Sequence, residues 1–221
     1  MSDACRIVEL GNNGLTGTIP TELGLVPGLA RLELDGNALS GTIPTELATP
    51  TLTHLKLDGN RLSGALPRQL VTSPLQQLEV SGNSLDGTVP WHLVWRMHGL
   101  NDLGLSRNAM SGTLPHWLGG FDALARLRLD ENALSGTLPT WLGSFTQLSE
   151  LGLHGNRLSG SIPTEIAAAS RLSYLYLQDN NYQLTGRISD IPSEFSYEKL
   201  PKLRVLCVPH PGSGDTQCWK G

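Results

Sequence analysis

Six side chains that could recognise a charged or aromatic ligand recur at one spacing in the second half of the chain. They are Arg126, Arg128, Glu150, His154, Tyr174 and Tyr176. Most of them occupy the x positions of L-x-L segments, so parallel strands about 4.8 Å apart would put the arginine pair roughly 10 Å from the tyrosine pair. Guanidinium groups bind carboxylates in a bidentate manner, and tyrosine is enriched in binding hot spots. We therefore predict a ligand- or partner-binding site here. The alternative is an ordinary solvated sheet face with mixed charge.

No comparable pattern of residues in the sequence indicates a catalytic site. The six histidines stand at positions 54, 92, 98, 116, 154 and 210, and none has the spacing of zinc ligands. No glycine-rich phosphate loop precedes a helix. His54, Lys56 and Asp58 alternate along one exposed strand, with no buried pocket that would tune a pKa. The sequence therefore predicts a protein that is not an enzyme and uses no metal and no cofactor.

A second regular surface is a column of threonines. The residue before each [IVL]-P pair is Thr18, Thr42, Ala65, Thr88, Thr113, Thr137 and Ser161. Flat, evenly spaced threonine arrays resemble ice-binding surfaces. The alternative is that β-branched threonine suits an exposed second strand. A further irregular segment places Trp91, Trp95 and Met97 on the side opposite the sheet, either as filler between coils or as an apolar patch for a partner.

The elements that position these residues come from one repeated pattern, L-x-x-L-x-L-x-x-N-x-L-x-G-x-[IVL]-P. Its asparagines are at 13, 37, 60, 83, 108, 132, 156 and 180. A fixed period of 23 to 25 residues predicts a solenoid. The alternating L-x-L core predicts parallel strands with one buried face, so Leu103/Leu105, Leu127/Leu129 and Leu151/Leu153 should stack as ladders.

The remaining fixed positions of the repeat are structural. Each asparagine is predicted to bond backbone groups of its turn and of the next coil, because a buried amide left unpaired would be costly. The recurring glycine four residues later predicts a backbone angle or a close approach that a side chain would forbid. The following proline suits an edge-type second strand or the first turn of a helix. Segments such as TELG and TWLGS then predict short 3₁₀ or α turns.

The segments GNNGLTGTIPTELG, GNALSGTIPTEL and GNRLSGSIPTEI resemble leucine-rich repeats of the plant-specific type. That family includes receptor-kinase ectodomains and polygalacturonase-inhibiting proteins. The resemblance implies an α/β solenoid: a horseshoe or superhelix with a parallel sheet on its concave face and short turns on its convex face. It also implies a protein or peptide ligand on the concave and lateral surfaces. The RLR at 126–128 is similar to an R-x-R pair with which peptide receptors of this family hold a C-terminal carboxylate.

The composition of the chain limits which partners and which cellular compartment can be predicted. With 16 basic and 20 acidic residues the net charge is −4, which predicts no nucleic-acid partner, and no apolar stretch is long enough for a membrane span. No signal peptide or N-x-[ST] sequon is visible, so the chain could be intracellular, although the resemblance implies secretion. Cys207 and Cys218 are a candidate disulfide, which would imply an oxidising compartment, or two reduced thiols.

We expect a single domain over residues 1–221, with repeats over 5–188 and a modified last repeat and cap over 189–221. Residues 190–203 are predicted to be helical, and Leu203, Leu206 and Val208 to supply a ninth strand. The first coil carries no visible cap, and an open strand edge invites pairing. We therefore predict a homodimer through the N-terminal edge, or a fragment that assembles there.

Overall fold

The computed structural model describes residues 6–91, 96–116, 122–180, 184–185, 205–209 and 216–220. The chain forms two compact units, Met1–Met110 and Ser111–Gly221. The single-domain arrangement over 1–221 stays a prediction. In the described ranges no helix has the length and apolarity that a membrane crossing requires.

Unit 1 contains two rows of short parallel strands. The first row holds β1 (Ile7–Glu9), β3 (Arg31–Glu33), β5 (His54–Lys56), β7 (Gln77–Glu79) and β9 (Asp102–Gly104). The second row holds β2 (Thr16–Thr18), β4 (Ala38–Gly41), β6 (Arg61–Ala65) and β8 (Ser84–Asp86). Its 3₁₀ helices are Thr21–Leu25, Thr45–Leu47 and Arg68–Thr72.

Unit 2 repeats this plan. Its first row is β11 (Arg126–Arg128), β13 (Glu150–Gly152), β15 (Tyr174–Tyr176) and β17 (Val205–Pro209). Its second row is β10 (Ser111–Thr113), β12 (Ala133–Thr137), β14 (Arg157–Ser161) and β16 (Leu184–Thr185). The 3₁₀ helices are Thr140–Ser144 and Thr164–Ala168. The predicted stacked parallel strands and 3₁₀ turns of an α/β solenoid are confirmed.

The core of each unit is a stack of leucines, as predicted. The inward strand residues Leu32, Leu55 and Leu78 of unit 1 are fully buried and lie in register. Leu151 and Leu175 of unit 2 are equally buried and in register. Burying a leucine contributes about 1.5–3 kcal/mol, so one residue type repeated at one offset supplies the main stabilisation of every coil.

The asparagine column bonds the backbone of adjacent coils. Nδ2 of Asn180, which is fully buried, donates to the carbonyls of Leu153, Leu177 and Gln178 at 3.1, 2.9 and 3.3 Å. Its Oδ1 accepts the amide N–H of Leu158 at 3.0 Å. The predicted bonds to its own turn are confirmed, and its side-chain amide is paired inside the stack. The other coil that it bonds is the preceding one, at Leu153 and Leu158, and not the next coil as predicted.

The recurring glycine and proline also take the places that their chemistry predicts. Gly41 has a φ of +79°, and a Cβ added there would lie 3.0 Å from the Thr18 γ-methyl group. Both the angle and the space therefore favour glycine. Pro139 precedes a 3₁₀ helix at a φ of −81°, where its missing N–H is no loss.

The alternative of an apolar partner patch is wrong for Trp91 and Met97. Both side chains are buried, at 7 and 6 % exposure, which agrees with the alternative of filler between coils. Trp95 lies outside the described residues.

The C-terminal cap is described only in part. β17 supplies the predicted ninth strand at Leu206 and Val208, whereas Leu203 and the segment 190–203 that we predict to be helical lie outside the described residues. β18 (Thr216–Lys220) pairs with β17 in an antiparallel arrangement that the repeat does not predict. Cys207 is buried and disulfide-bonded, and Cys218 is its register partner. The side chain of Cys218 is outside the described residues, so the pairing stays a prediction.

Candidate functional site

Three adjacent strands of unit 2 bring together five of the six predicted site residues. Arg126 on β11 pairs in register with Glu150 on β13, which pairs with Tyr174 on β15. Arg128, Gly152 and Tyr176 form the neighbouring row. We call this surface the strand face of unit 2. The order along the chain therefore places positive, negative and aromatic groups side by side.

The tyrosines form the aromatic end of the strand face. The rings of Tyr174 and Tyr176 stack with centroids 6.4 Å apart and planes 17° apart, and Tyr174 is 36 % exposed. Burial, followed by the negative charge of Glu150 and then Tyr174, raises the pKa of Tyr176 above its ordinary value of 10.0. The Tyr176 phenol is therefore a neutral hydroxyl donor at physiological pH, and both tyrosines place an apolar body beside a polar tip.

Gly152 leaves room for a carboxylate in the middle of the strand face. A Cβ added there would lie 2.5 Å from Asp130 Oδ1, and Gly152 itself is buried. A ligand that crosses the strand face would therefore meet the Asp130 carboxylate at this position.

His154 lies two residues beyond β13, at the margin of the strand face. Its ring meets the ring of Tyr176 edge-on, with centroids 6.1 Å apart. Its Nε2 lies 3.9 Å from Asp130 Oδ2 and 3.8 Å from Glu131 Oε1. His154 therefore belongs to the same surface as the tyrosines, and two carboxylates accompany it that the sequence does not place there.

Asp130 and Glu131 are the residues that sequence reasoning missed. The prediction of no metal centre rests on histidines that stand in separate coils, without ligand spacing along the chain. Stacking of the coils nevertheless brings one donor atom each of Asp130, Glu131 and His154 within 4.8 Å of one another. The signal that could have found them is an offset of one repeat, 23 to 24 residues, in place of the usual short zinc-ligand spacing.

The corresponding face of unit 1 is dominated by charge. Lys56 Nζ lies 3.0 Å from Glu33 Oε1, and Arg31 reaches Glu33 at 3.5 Å and Glu9 at 3.9 Å. The side chains of Arg31, Glu33 and Lys56 are half-buried, and ion pairs that stay in contact with solvent contribute little stability. Burial, helped by Arg31, lowers the pKa of His54 below 6.5. The face of unit 1 therefore matches the alternative of an ordinary sheet face with mixed charge.

Two x positions of the L-x-L strands in unit 1 do not face solvent, although the sequence predicts that only one face of these strands is buried. Glu79 and Asp102 are buried, at 5 and 1 % exposure. For Glu79 the reason is its neighbour Gly104, where an added Cβ would overlap the Glu79 carboxylate. The glycine thus opens space into which the acidic side chain folds.

The threonine column is exposed on the second rows of both units. In unit 2 the γ-methyl groups of Thr113 and Thr137 would lie 3.1 Å from a Cβ at Gly136 and Gly160 respectively. Each threonine therefore leans towards the glycine of the next coil.

The first coil exposes apolar side chains. Ile7, Leu10 and Leu25 are 54, 44 and 76 % exposed, and Cys5, in the first leucine slot, lies outside the described residues. Dimerisation through this edge stays a prediction, which sedimentation over a range of concentrations would test.

A family model for the leucine rich repeat matches residues 51–72 and 147–168. No curated protein matches the chain. The Arabidopsis receptor kinase HAESA ectodomain, solved with an N-terminally extended IDA peptide hormone, is 33 % identical, covers 93 % of this chain and 33 % of its own, and has a TM-score of 0.84. The plant peptide hormone receptor RGFR1, solved with RGF2, is 32 % identical over 90 % of this chain and 31 % of its own, with a TM-score of 0.81.

A third, shorter structure is matched over a larger share of its own length. Pollen Receptor Kinase 3 is 31 % identical over 70 % of this chain and 75 % of its own, with a TM-score of 0.63. This chain thus spans about a third of the HAESA and RGFR1 chains and three quarters of the pollen receptor kinase chain. Together with the repeat and its stacked parallel strands, these matches show that the chain belongs to the plant-type leucine-rich-repeat family, with repeats similar to those of receptor-kinase ectodomains.

Proposed function

We propose that this chain is a non-enzymatic recognition module that binds a peptide or protein segment across the strand face of unit 2. The observation that carries the proposal is the register of β11, β13 and β15, which aligns an arginine pair, Glu150 and a stacked tyrosine pair. Similarity to two receptors solved with peptide hormones supports it.

The spacing of the strand face suits an extended chain that runs across the strands. Two strand spacings are about 10 Å, which an extended peptide covers in about three residues. A C-terminal carboxylate at Arg126 and Arg128 would therefore put a side chain about three residues earlier against Tyr174 and Tyr176. Glu150, between them, can accept hydrogen bonds from the peptide backbone.

A peptide library displayed with free C-termini tests this proposal. The intact chain should select peptides, and converting the terminal carboxylate of a selected peptide to an amide should weaken binding roughly 10- to 100-fold, because a charge-assisted hydrogen bond contributes about 1.5–3 kcal/mol. The double variants Arg126→Ala/Arg128→Ala and Tyr174→Ala/Tyr176→Ala should each lose binding by a similar factor.

A matched control distinguishes the strand face from charge in general. Arg157 is an exposed arginine on β14, in the second row of the same unit, and Arg157→Ala should bind like the parent chain. Selected peptides that bind both double variants undiminished would show that another surface is used. Equal losses in the control would assign the effect to net charge.

The threonine column favours a second candidate function, ice binding. Its members are exposed and evenly repeated, and in unit 2 they lean towards the glycine of the next coil. A flat array of this kind would present methyl and hydroxyl groups at a spacing of about 4.8 Å. Thermal hysteresis or recrystallisation inhibition at micromolar protein would support it, and Thr113→Lys/Thr137→Lys should abolish the activity.

A further inference from the structure

We propose that Asp130, Glu131 and His154 form a binding site for one divalent transition-metal ion of the zinc class, at the margin of the strand face of unit 2. The three residues come from two successive coils, and each offers one donor atom towards the same point. This inference is independent of the proposed peptide-binding function.

The distances between the donors suit a small ion. His154 Nε2 lies 3.8 Å from Glu131 Oε1 and 3.9 Å from Asp130 Oδ2. Ligands about 2.0–2.2 Å from a tetrahedral zinc ion lie roughly 3.3–3.6 Å from one another. His154 therefore needs to approach each carboxylate by only a few tenths of an ångström, and all three donor atoms already lie within 4.8 Å of one another.

The chemistry of the donors selects the class of ion. Calcium and magnesium take oxygen ligands, whereas imidazole together with carboxylates suits zinc and its neighbours. Three protein ligands leave the fourth tetrahedral position for water or for another ligand, as in zinc sites that are not purely structural. The ring of Tyr176 lies beside that of His154, with centroids 6.1 Å apart.

The hydrogen bonding of His154 also supports a metal ligand at its Nε2. Its Nε2 lies beyond hydrogen-bond distance of both carboxylates, and its buried Nδ1 has no hydrogen-bond partner among the described residues. Gln178 occupies the equivalent position of the next coil, where its carbonyl oxygen accepts the Gly155 N–H at 3.1 Å. The side-chain Oε1 of Gln178 is also buried and has no hydrogen-bond partner in the described part of the chain.

A histidine that binds a metal through Nε2 carries its proton on Nδ1, and it usually donates that proton to a carbonyl or carboxylate. A metal on Nε2 of His154 would therefore engage that ring nitrogen and make Nδ1 a hydrogen-bond donor. Among the residues that the structure describes, Gln178 Oε1 is an unpaired acceptor in the adjacent coil.

The chain offers a variant that removes a ligand without disturbing the fold. Glu131 has a φ of +52°, and the equivalent residues Gly36, Gly59, Gly82 and Gly155 are glycines with φ between +61° and +65°. Glu131→Gly therefore places the favoured residue in this backbone conformation. Asp179→Gly is its matched control, since Asp179 has a φ of +58° at the same position one coil beyond Gly155.

Titration of the chain with Zn²⁺ by calorimetry tests the site, with the visible absorption of bound Co²⁺ as a second readout of tetrahedral coordination. We expect one Zn²⁺ per chain, with binding at least about tenfold weaker in Glu131→Gly and in His154→Ala, because each variant removes one of three ligands. Asp179→Gly and His54→Ala should bind like the parent chain. Thermal melting without metal shows whether each variant is folded.

Two results would overturn the proposal. One is the absence of a Zn²⁺ site in the folded parent chain. The other is Zn²⁺ binding that survives unchanged in Glu131→Gly and His154→Ala, which would place the ion on other histidines or on cysteines. Binding of Ca²⁺ in preference to Zn²⁺ would likewise contradict the zinc class.

Discussion

Replacing Asn156 by alanine measures what one member of the asparagine column contributes to stability. Its buried Nδ2 donates to the carbonyls of Leu129, Leu153 and His154 at 3.0, 3.1 and 3.1 Å. Its Oδ1 accepts the Leu134 N–H at 3.0 Å. The variant removes all four hydrogen bonds at once, in the interior of unit 2.

The four lost bonds differ in cost. Each of the three carbonyls keeps a second donor, so each loss should cost only about 0.5 kcal/mol, the lower end of the usual range. These donors are Asn132 Nδ2 for Leu129, Asn180 Nδ2 for Leu153 and the Glu131 N–H for His154. The Leu134 N–H loses its side-chain acceptor in a buried position, which costs about 2 kcal/mol. We therefore expect Asn156→Ala to lower the free energy of unfolding by about 3–4 kcal/mol.

Urea denaturation of the full chain, followed by circular dichroism, measures this loss, and hydrogen exchange at the Leu134 amide localises it. Asn13→Ala is the matched control, since Asn13 is the exposed member of the column, and its Nδ2 donates to the Gly11 carbonyl at 2.9 Å. This control should lose less than about 1 kcal/mol. A loss in Asn156→Ala no larger than the loss in Asn13→Ala would refute the reasoning, because burial would then not raise the cost of an unpaired group.

Three further predictions concern ionisation and packing. The NMR titration midpoint of His54 should lie below pH 6.5, because the folded state favours the neutral ring. The contribution of His54 to the free energy of unfolding should therefore be fully present above pH 6.5 and be lost as the pH falls. A midpoint above 6.5 would contradict this prediction. Glu150→Gln should lower the raised pKa of Tyr176 towards 10.0 in an absorbance titration, because it removes a negative charge that disfavours the phenolate. Gly143→Ala should lower thermal stability by about 2–3 kcal/mol, because its Cβ would overlap the Glu165 backbone carbonyl of the stacked 3₁₀ helix; an unchanged melting temperature would contradict the close stacking.

The repeated parts of the fold could be predicted because every coil solves the same problem. A leucine such as Leu151 must be buried in each coil, and an amide such as Asn156 must pair with each turn, so a single pattern fixes strand, turn and register together. The row of Arg126, Glu150 and Tyr174 follows from that register alone. β18 could not be predicted, because the tail after Pro209 carries no repeat and its pairing depends on tertiary contacts.

The chemistry at the margin of the strand face was less predictable for a physical reason. The direction of a side chain at a turn depends on the space that the next coil leaves, as the carboxylate of Asp130 above Gly152 shows. Whether Glu79 is buried likewise depends on the glycine beside it in the adjacent strand. In both cases the deciding neighbour is about 22 to 25 residues away in sequence. Patterns of adjacent residues therefore do not predict these contacts, whereas comparison of equivalent positions in successive coils can.

Equivalent positions in successive coils also distinguish structural residues from candidate binding residues. A column that keeps one residue type, such as leucine or asparagine, satisfies a packing or hydrogen-bonding need that every coil shares, and its substitution should cost stability. A column that changes type, as Asp130, His154 and Gln178 do in three successive coils, answers no shared structural need. Polar atoms of His154 and Gln178 stay buried without partners in the described structure, which costs free energy in a folded chain. An ion held by Nε2 of His154 and the carboxylates beside it would explain why this column departs from the repeat, and Zn²⁺ titration is therefore the first experiment to perform on this surface.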